Sequence, residues 1–108
     1  MPWRDSVSQG LSSTDTASGI TYRAYHFGKV IFVTVDGTLS ASLSSGGWIN
    51  FSKAAPAAVR DFWCHAFTSN NENYSLRVTS AGAVGIVARG TIPSGRELHT
   101  AFAYIAAA

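Results

Sequence analysis

Charge is what this sequence has least of. Only 13% of its residues are Asp, Glu, Lys or Arg, roughly half the ~25% share of ordinary soluble domains. Six Arg and two Lys are scattered along 108 residues, for a net charge of +2. No basic stripe is available for a nucleic-acid backbone, so nucleic acid is excluded as the expected partner. Cys64 is the sole cysteine. It excludes an intrachain disulfide and a cysteine metal site, and its place in Phe62-Trp63-Cys64-His65-Ala66-Phe67 predicts an inert, buried thiol. No run is long and apolar enough for a spanning helix, so no membrane insertion is expected. The first ten residues, MPWRDSVSQG, have neither a basic start nor an apolar centre, so no signal peptide is predicted.

Helical periodicity is also missing. The one alanine-rich stretch, Ser52 to Ala58, is short and contains Pro56, which argues for a loop. β-strand signals fill the space instead. Val30 to Val35 is a nearly unbroken β-branched and aromatic run. Asp36-Gly37 follows it and reads as a tight hairpin turn. Leu39, Ala41 and Leu43 then alternate with hydroxyl residues, as a strand with one apolar face would. Gly46-Gly47 turns the chain again into Trp48-Ile49-Asn50-Phe51. Because Val30 to Val35 has no polar face, it is expected between two layers, or between one layer and a neighbouring subunit.

The remainder follows the same rhythm. Residues 4 to 18 are polar and rich in Ser and Thr, and predict an irregular lead-in with at most a short edge strand. Ile20 to Phe27 alternates, with Ile20, Tyr22 and Ala24 on one side. Further strands are predicted over Val59 to Thr68, Tyr74 to Thr79, Ala83 to Ala88 and Leu98 to Ile105. The fold expected is all-β: an antiparallel β-sandwich or jelly roll of about eight short strands. The domain organisation expected is a lead-in over 1–18 and one β-sandwich head over 19–108. Low charge and the two-sided apolar strand suggest an oligomer.

Several residue patterns occur together in an order that resembles the C-terminal head domain of phage tail-fibre and receptor-binding proteins, of the type found in phages and prophages of Gram-positive bacteria. They are Trp3, Tyr22-Arg23, Gly28-Lys29-Val30, Gly47-Trp48-Ile49, the Pro56 loop, Leu76-Arg77-Val78, Gly82 with Val84-Gly85-Ile86, Gly95, and the closing Phe102-Ala103-Tyr104-Ile105. The proline loop departs from the family pattern, keeping one proline where two are usual. The resemblance implies a homotrimer at a phage tail tip, joined to an upstream fibre shaft or baseplate. It also implies a bacterial cell-surface glycan as ligand, and a virion protein made in the host cytoplasm. A purely structural trimerisation cap is the alternative.

Candidate binding residues follow from stacking chemistry. Sugars lay their apolar ring faces on indoles while amides and charged groups take the hydroxyls. Trp63 and His65 share one side of their strand with Asp61 and Phe67. If the strand turns through Asn70, Asn71 and Asn73 and returns as a hairpin, Arg77 comes beside them. Trp48 is a further candidate. This face is expected to be either a glycan site or a subunit contact. His26, His65 and His99 lack ligand spacing, so no metal or other cofactor is expected. Catalysis is not expected either. Glycan cleavage needs two carboxylates across one bond, and Asp61, Glu72 and Glu97 lie on separate elements. No nucleophile elbow or phosphate loop is present.

Overall fold

A computed structural model describes residues 9–107, so Trp3 and Asp5 lie outside the described residues. Its strands are β1 (Gln9–Ala17), β2 (Ile20–Phe27), β3 (Val30–Thr38), β4 (Trp48–Asn50), β5 (Phe62–Phe67), β6 (Asn73–Val78), β7 (Val84–Ala88) and β8 (Glu97–Ile105). They form two four-stranded sheets, ordered β1-β2-β3-β8 and β4-β7-β6-β5. Every strand pairing is antiparallel. In the second sheet β5, β6 and β7 are joined by hairpins, and β4 returns beside β7, which is a Greek key. The first sheet is a meander, β1-β2-β3, extended by β8. A jelly roll carries two Greek keys; the described residues show one.

Alternation decides what faces inward. Ile20, Tyr22 and Ala24 on β2 and Ile31, Val33 and Val35 on β3 are buried, as are Leu98 and Tyr104 on β8. Opposite them lie Ile49 of β4, Tyr74, Leu76 and Val78 of β6, and Val84, Ile86 and Ala88 of β7, all in one core cluster. Cys64 packs at its margin, and burial pushes its thiol above the ordinary range. Three phenols cross between the sheets. Tyr22 donates to the Lys53 carbonyl at 2.7 Å and Tyr104 to the Pro56 carbonyl at 2.7 Å. Both carbonyls belong to the β4–β5 connection. The Tyr74 hydroxyl bonds with that of Thr100 on β8. Desolvation raises the pKa of all three phenols.

Three expectations need correction. Gln9 to Ala17 is not an irregular lead-in; it pairs with β2 along its length, with a register shift between Leu11 and Ser13. Its inward row is Ser13, Asp15 and Ala17, opposite Ala24, Tyr22 and Ile20. That row lies at the sandwich margin, where hydrogen bonds take the place of apolar contact and erase the usual alternation. Asp36-Gly37 is not a hairpin turn either. Both residues pair with β2 and β8 in mid-sheet. The tight turn is Ser18-Gly19, with positive φ of 51° and 81° at its two central residues, as a primed two-residue hairpin requires. The turn folds onto β3 so closely that a Cβ on Gly37 would lie 2.2 Å from the Gly19 carbonyl oxygen. Leu39 to Leu43 forms no named strand. It is held by backbone bonds to residues 92–96: Leu39 N–H donates to the Arg96 carbonyl at 2.8 Å, its own carbonyl accepts from Gly95 N–H at 2.7 Å, and Leu43 and Ile92 bond in both directions, each at 2.8 Å.

β3 lies inside its sheet, flanked by β2 and β8. Its outward apolar side is only partly covered: Phe32 is 45% exposed. Leu11, Phe27 and Ile105 are exposed on the same outer face, in rows fixed by strand register.

Asp15 joins the two sheets at their margin. Its Oδ2 accepts from Ser52 N–H at 2.7 Å, Ser52 Oγ–H at 2.8 Å and Lys53 N–H at 3.1 Å. These donors, the Ser52 hydroxyl foremost, lower its pKa from 3.8 to about 2. A depressed folded-state pKa stabilises above the unfolded value and loses that contribution as pH falls through the folded one. We therefore expect the melting temperature to fall as pH drops from 3.8 towards about 2, and Asp15→Asn to flatten that part of the curve. Calorimetry across this range tests it; parallel acid curves for the two proteins would refute it.

Candidate functional site

The outer face of the second sheet is aromatic and cationic. Its edge strand β5 turns Trp63, His65 and Phe67 outward. Hairpin pairing sets Trp63 opposite Arg77, His65 opposite Ser75 and Phe67 opposite Asn73. Trp63 beside Arg77 is the neighbour pair the sequence pattern anticipated. On the far side of β7, Trp48 and Asn50 pair with Val87 and Gly85, and Gly85 in turn pairs with Arg77. Trp48 and Trp63 thus start on opposite edge strands with two strands between them, yet their ring centroids are 6.1 Å from each other.

Gly85 makes this approach possible. A Cβ at that position would meet two ring carbons of Trp48 at 3.2 Å, so the indole lies against bare backbone. Glycine inside a strand often marks such a close approach. Arg77 packs against both indoles. Its guanidinium carbon is 4.5 Å from the Trp48 ring centroid and 5.6 Å from that of Trp63. Arg89, just past the end of β7, lies 5.4 Å from the Trp63 ring. Contacts of this kind contribute about 0.5–1 kcal/mol each at exposed positions. They matter here mainly because they hold flexible side chains in place.

A buried hydroxyl organises the layer beneath. Ser75 is fully buried and accepts from Arg89 Nε–H at 2.9 Å. It also bonds His65 Nδ1 at 2.7 Å. Ser75 thus ties Arg89 and His65 to one point beneath the face. Arg77 is held differently: its Nε is buried with no hydrogen-bond partner.

The structure brings together Trp48, Trp63, His65, Arg77 and Asn73. Trp48 and Trp63 remain 37% and 43% exposed, so neither is a core residue of the chain. Asn70 and Asn71 occupy the β5–β6 turn beyond the last row of the face. That turn is tied towards the first sheet: Ser69 N–H donates to the Glu97 carbonyl at 3.1 Å, and Arg96 Nε–H donates to Glu72 at 2.9 Å. Arg89, Ser75, Gly85 and Asn50 were missed. Period-two counting from Gly85 through Val87 to Arg89 gives their side, but only the sheet order gives their neighbours.

The carboxylates lie apart. Asp61 precedes β5 and accepts from Ser80 N–H at 2.9 Å. Glu72 follows the far end of β5, and its pKa is lowered first by Thr68 and then by Arg96. Asp36 pairs with Arg23 at 3.5 Å on the other sheet. No group of three or more His, Cys, Asp or Glu suited to a metal ion occurs among the described residues. No protein-family model and no curated protein matches this chain, so the chemistry of the face must be argued from its geometry.

Two indoles this close couple optically and should give an exciton couplet in far-ultraviolet circular dichroism. Gly85→Val places a branched side chain where the Trp48 ring now lies. We expect the couplet to collapse while the melting temperature falls by only a few degrees, since Trp48 is a surface residue. An unchanged couplet would show that the rings do not depend on the bare backbone.

Proposed function

We propose that this chain is the head domain of a phage or prophage tail fibre, that it assembles as a homotrimer, and that it binds a host cell-surface saccharide without cleaving it. One observation carries the binding part. Trp48 and Trp63 lie half-exposed on one sheet, with the Arg77 guanidinium packed against both rings and His65, Asn50 and Asn73 on the same face. Indoles offer the flat apolar surface that a pyranose ring needs, and the surrounding polar groups match its hydroxyls. A face built on strands is also pre-formed, which lowers the entropy cost of binding.

The trimer rests on a different surface. Leu11, Phe27, Phe32 and Ile105 leave an exposed apolar area on the first sheet, of the kind that marks an interaction site. The two outer faces can then divide the work, one for subunits and one for ligand. The fibre assignment draws on the sequence resemblance. It implies an upstream shaft or baseplate as the attachment partner and the virion tail tip as location. Several heads on one particle would multiply a weak single-site affinity without new contacts.

Two substitutions separate the faces. Phe32→Glu is expected to yield monomers by sedimentation, because it sets a charge in the apolar area. Persistence of the trimer would move the subunit contact elsewhere. Trp63→Ala is expected to abolish binding to host cells or to a glycan array while the trimer remains. If Trp63→Ala releases monomers instead, the second sheet's face is the subunit contact and the structural-cap reading replaces this one.

A further inference from the structure

Charge on the second sheet's outer face is one-sided. Along β4 to β7 its outward residues are Trp48, Asn50, Trp63, His65, Phe67, Asn73, Ser75, Arg77, Gly85, Val87 and Arg89, and none is acidic. Elsewhere Arg23 pairs with Asp36 and Arg96 with Glu72, while Arg60 lies over the Phe62 ring. Arg77 and Arg89 form no ion pair among the described residues. They contact indoles, and Arg89 also donates to a serine hydroxyl. The other described acids have other partners, Asp61 among them although it borders this face just before β5. Asp15 is bound at the sandwich margin, Asp61 at the Ser80 backbone and Glu97 beside His99.

We infer that the saccharide held on this face is acidic, carrying a carboxylate or a phosphate that Arg77 and Arg89 neutralise. The inference rests on the saccharide reading above and adds the ligand's charge. In a chain with so few charged residues, two arginines fixed on one face without a counter-ion are a directed feature. Guanidinium donors form short, charge-assisted and often paired bonds with carboxylate and phosphate oxygens. The indoles hold both arginines in place beforehand, so little side-chain freedom remains to be lost on binding. A neutral sugar would leave both charges uncompensated. His65 adds an imidazole to the same face, tied to Ser75 through Nδ1 so that Nε2 is not used by that bond.

The test uses matched ligands that differ only in charge. Labelled full-length protein is titrated with methyl glucuronide against methyl glucoside, and with glycerol 1-phosphate against glycerol. The signals followed are the indole N–H groups of Trp48 and Trp63 and the Nε–H groups of Arg77 and Arg89. The charged member of at least one pair should bind about tenfold more tightly or better, and that advantage should shrink as salt is added. Which pair responds distinguishes carboxylate from phosphate. Arg89→Gln and, separately, Arg77→Gln should each reduce the ratio of charged-ligand to neutral-ligand affinity. Equal binding of glucuronide and glucoside, with glycerol 1-phosphate no better than glycerol, would overturn the inference and leave the saccharide reading standing. Inorganic phosphate binding as well as glycerol 1-phosphate, with neither sugar bound, would overturn the saccharide reading and this inference with it. Tighter binding of a short oligothymidylate than of any saccharide would make the occupant a nucleic acid and overturn both. No shift with any probe would do the same.

Discussion

Three buried phenols hold this sandwich together in a way that apolar contact alone would not. Tyr22, Tyr74 and Tyr104 each fill core volume and also place one hydroxyl where a partner on the opposite side must meet it. A buried tyrosine without such a partner costs roughly 1–3 kcal/mol. The two sheets therefore cannot slide over each other, as a purely aliphatic core might allow. Two of the bonds end on Lys53 and Pro56, so the β4–β5 connection is fixed as firmly as a strand. That connection sets where β5 begins, and β5 carries Trp63 and His65. The chemistry on the outside of the second sheet thus depends on hydroxyls at its inside.

The chain shows how a domain with few charges can keep its outer faces distinct. The first sheet ends one outer face in phenyl and aliphatic groups, and the second covers its own with indoles and guanidinium groups. Both faces are regular strand surfaces in which every second residue is committed to the core. A change of partner on either face therefore needs no change of fold, only substitution at alternate positions.

Legibility in the sequence followed distance along the chain. β2, β6 and β8 were readable because each alternates, β7 because an apolar run follows the turn at Gly82, and Trp63 beside Arg77 because one hairpin joins them. β1 was not, because its inward side carries Ser13 and Asp15 at a margin that binds by hydrogen bonds. Asp36-Gly37 misled because the same dipeptide serves two physical needs. Glycine is required there to let the Gly19 carbonyl approach, not to turn the chain. Trp48 and Arg89 joined the site through the order β4-β7-β6-β5, which no local pattern encodes. Gly85 was the available clue, since a glycine within Val84-Gly85-Ile86 signals that something lies on the backbone.

The mutual approach of Gly19 and Gly37 bears on how such a chain can change length. Each glycine leaves room for the other strand's carbonyl: a Cβ on Gly19 would lie 2.2 Å from the Thr38 oxygen. Adding or deleting one residue within β2 or β3 would break this fit. It would also exchange the inward Ile31, Val33 and Val35 for the outward Val30, Phe32 and Thr34. Insertions and deletions are thereby directed to the connections outside the named strands, between Leu39 and Gly47 and between Arg89 and Arg96. Those stretches can lengthen or shorten while both working faces keep their phase.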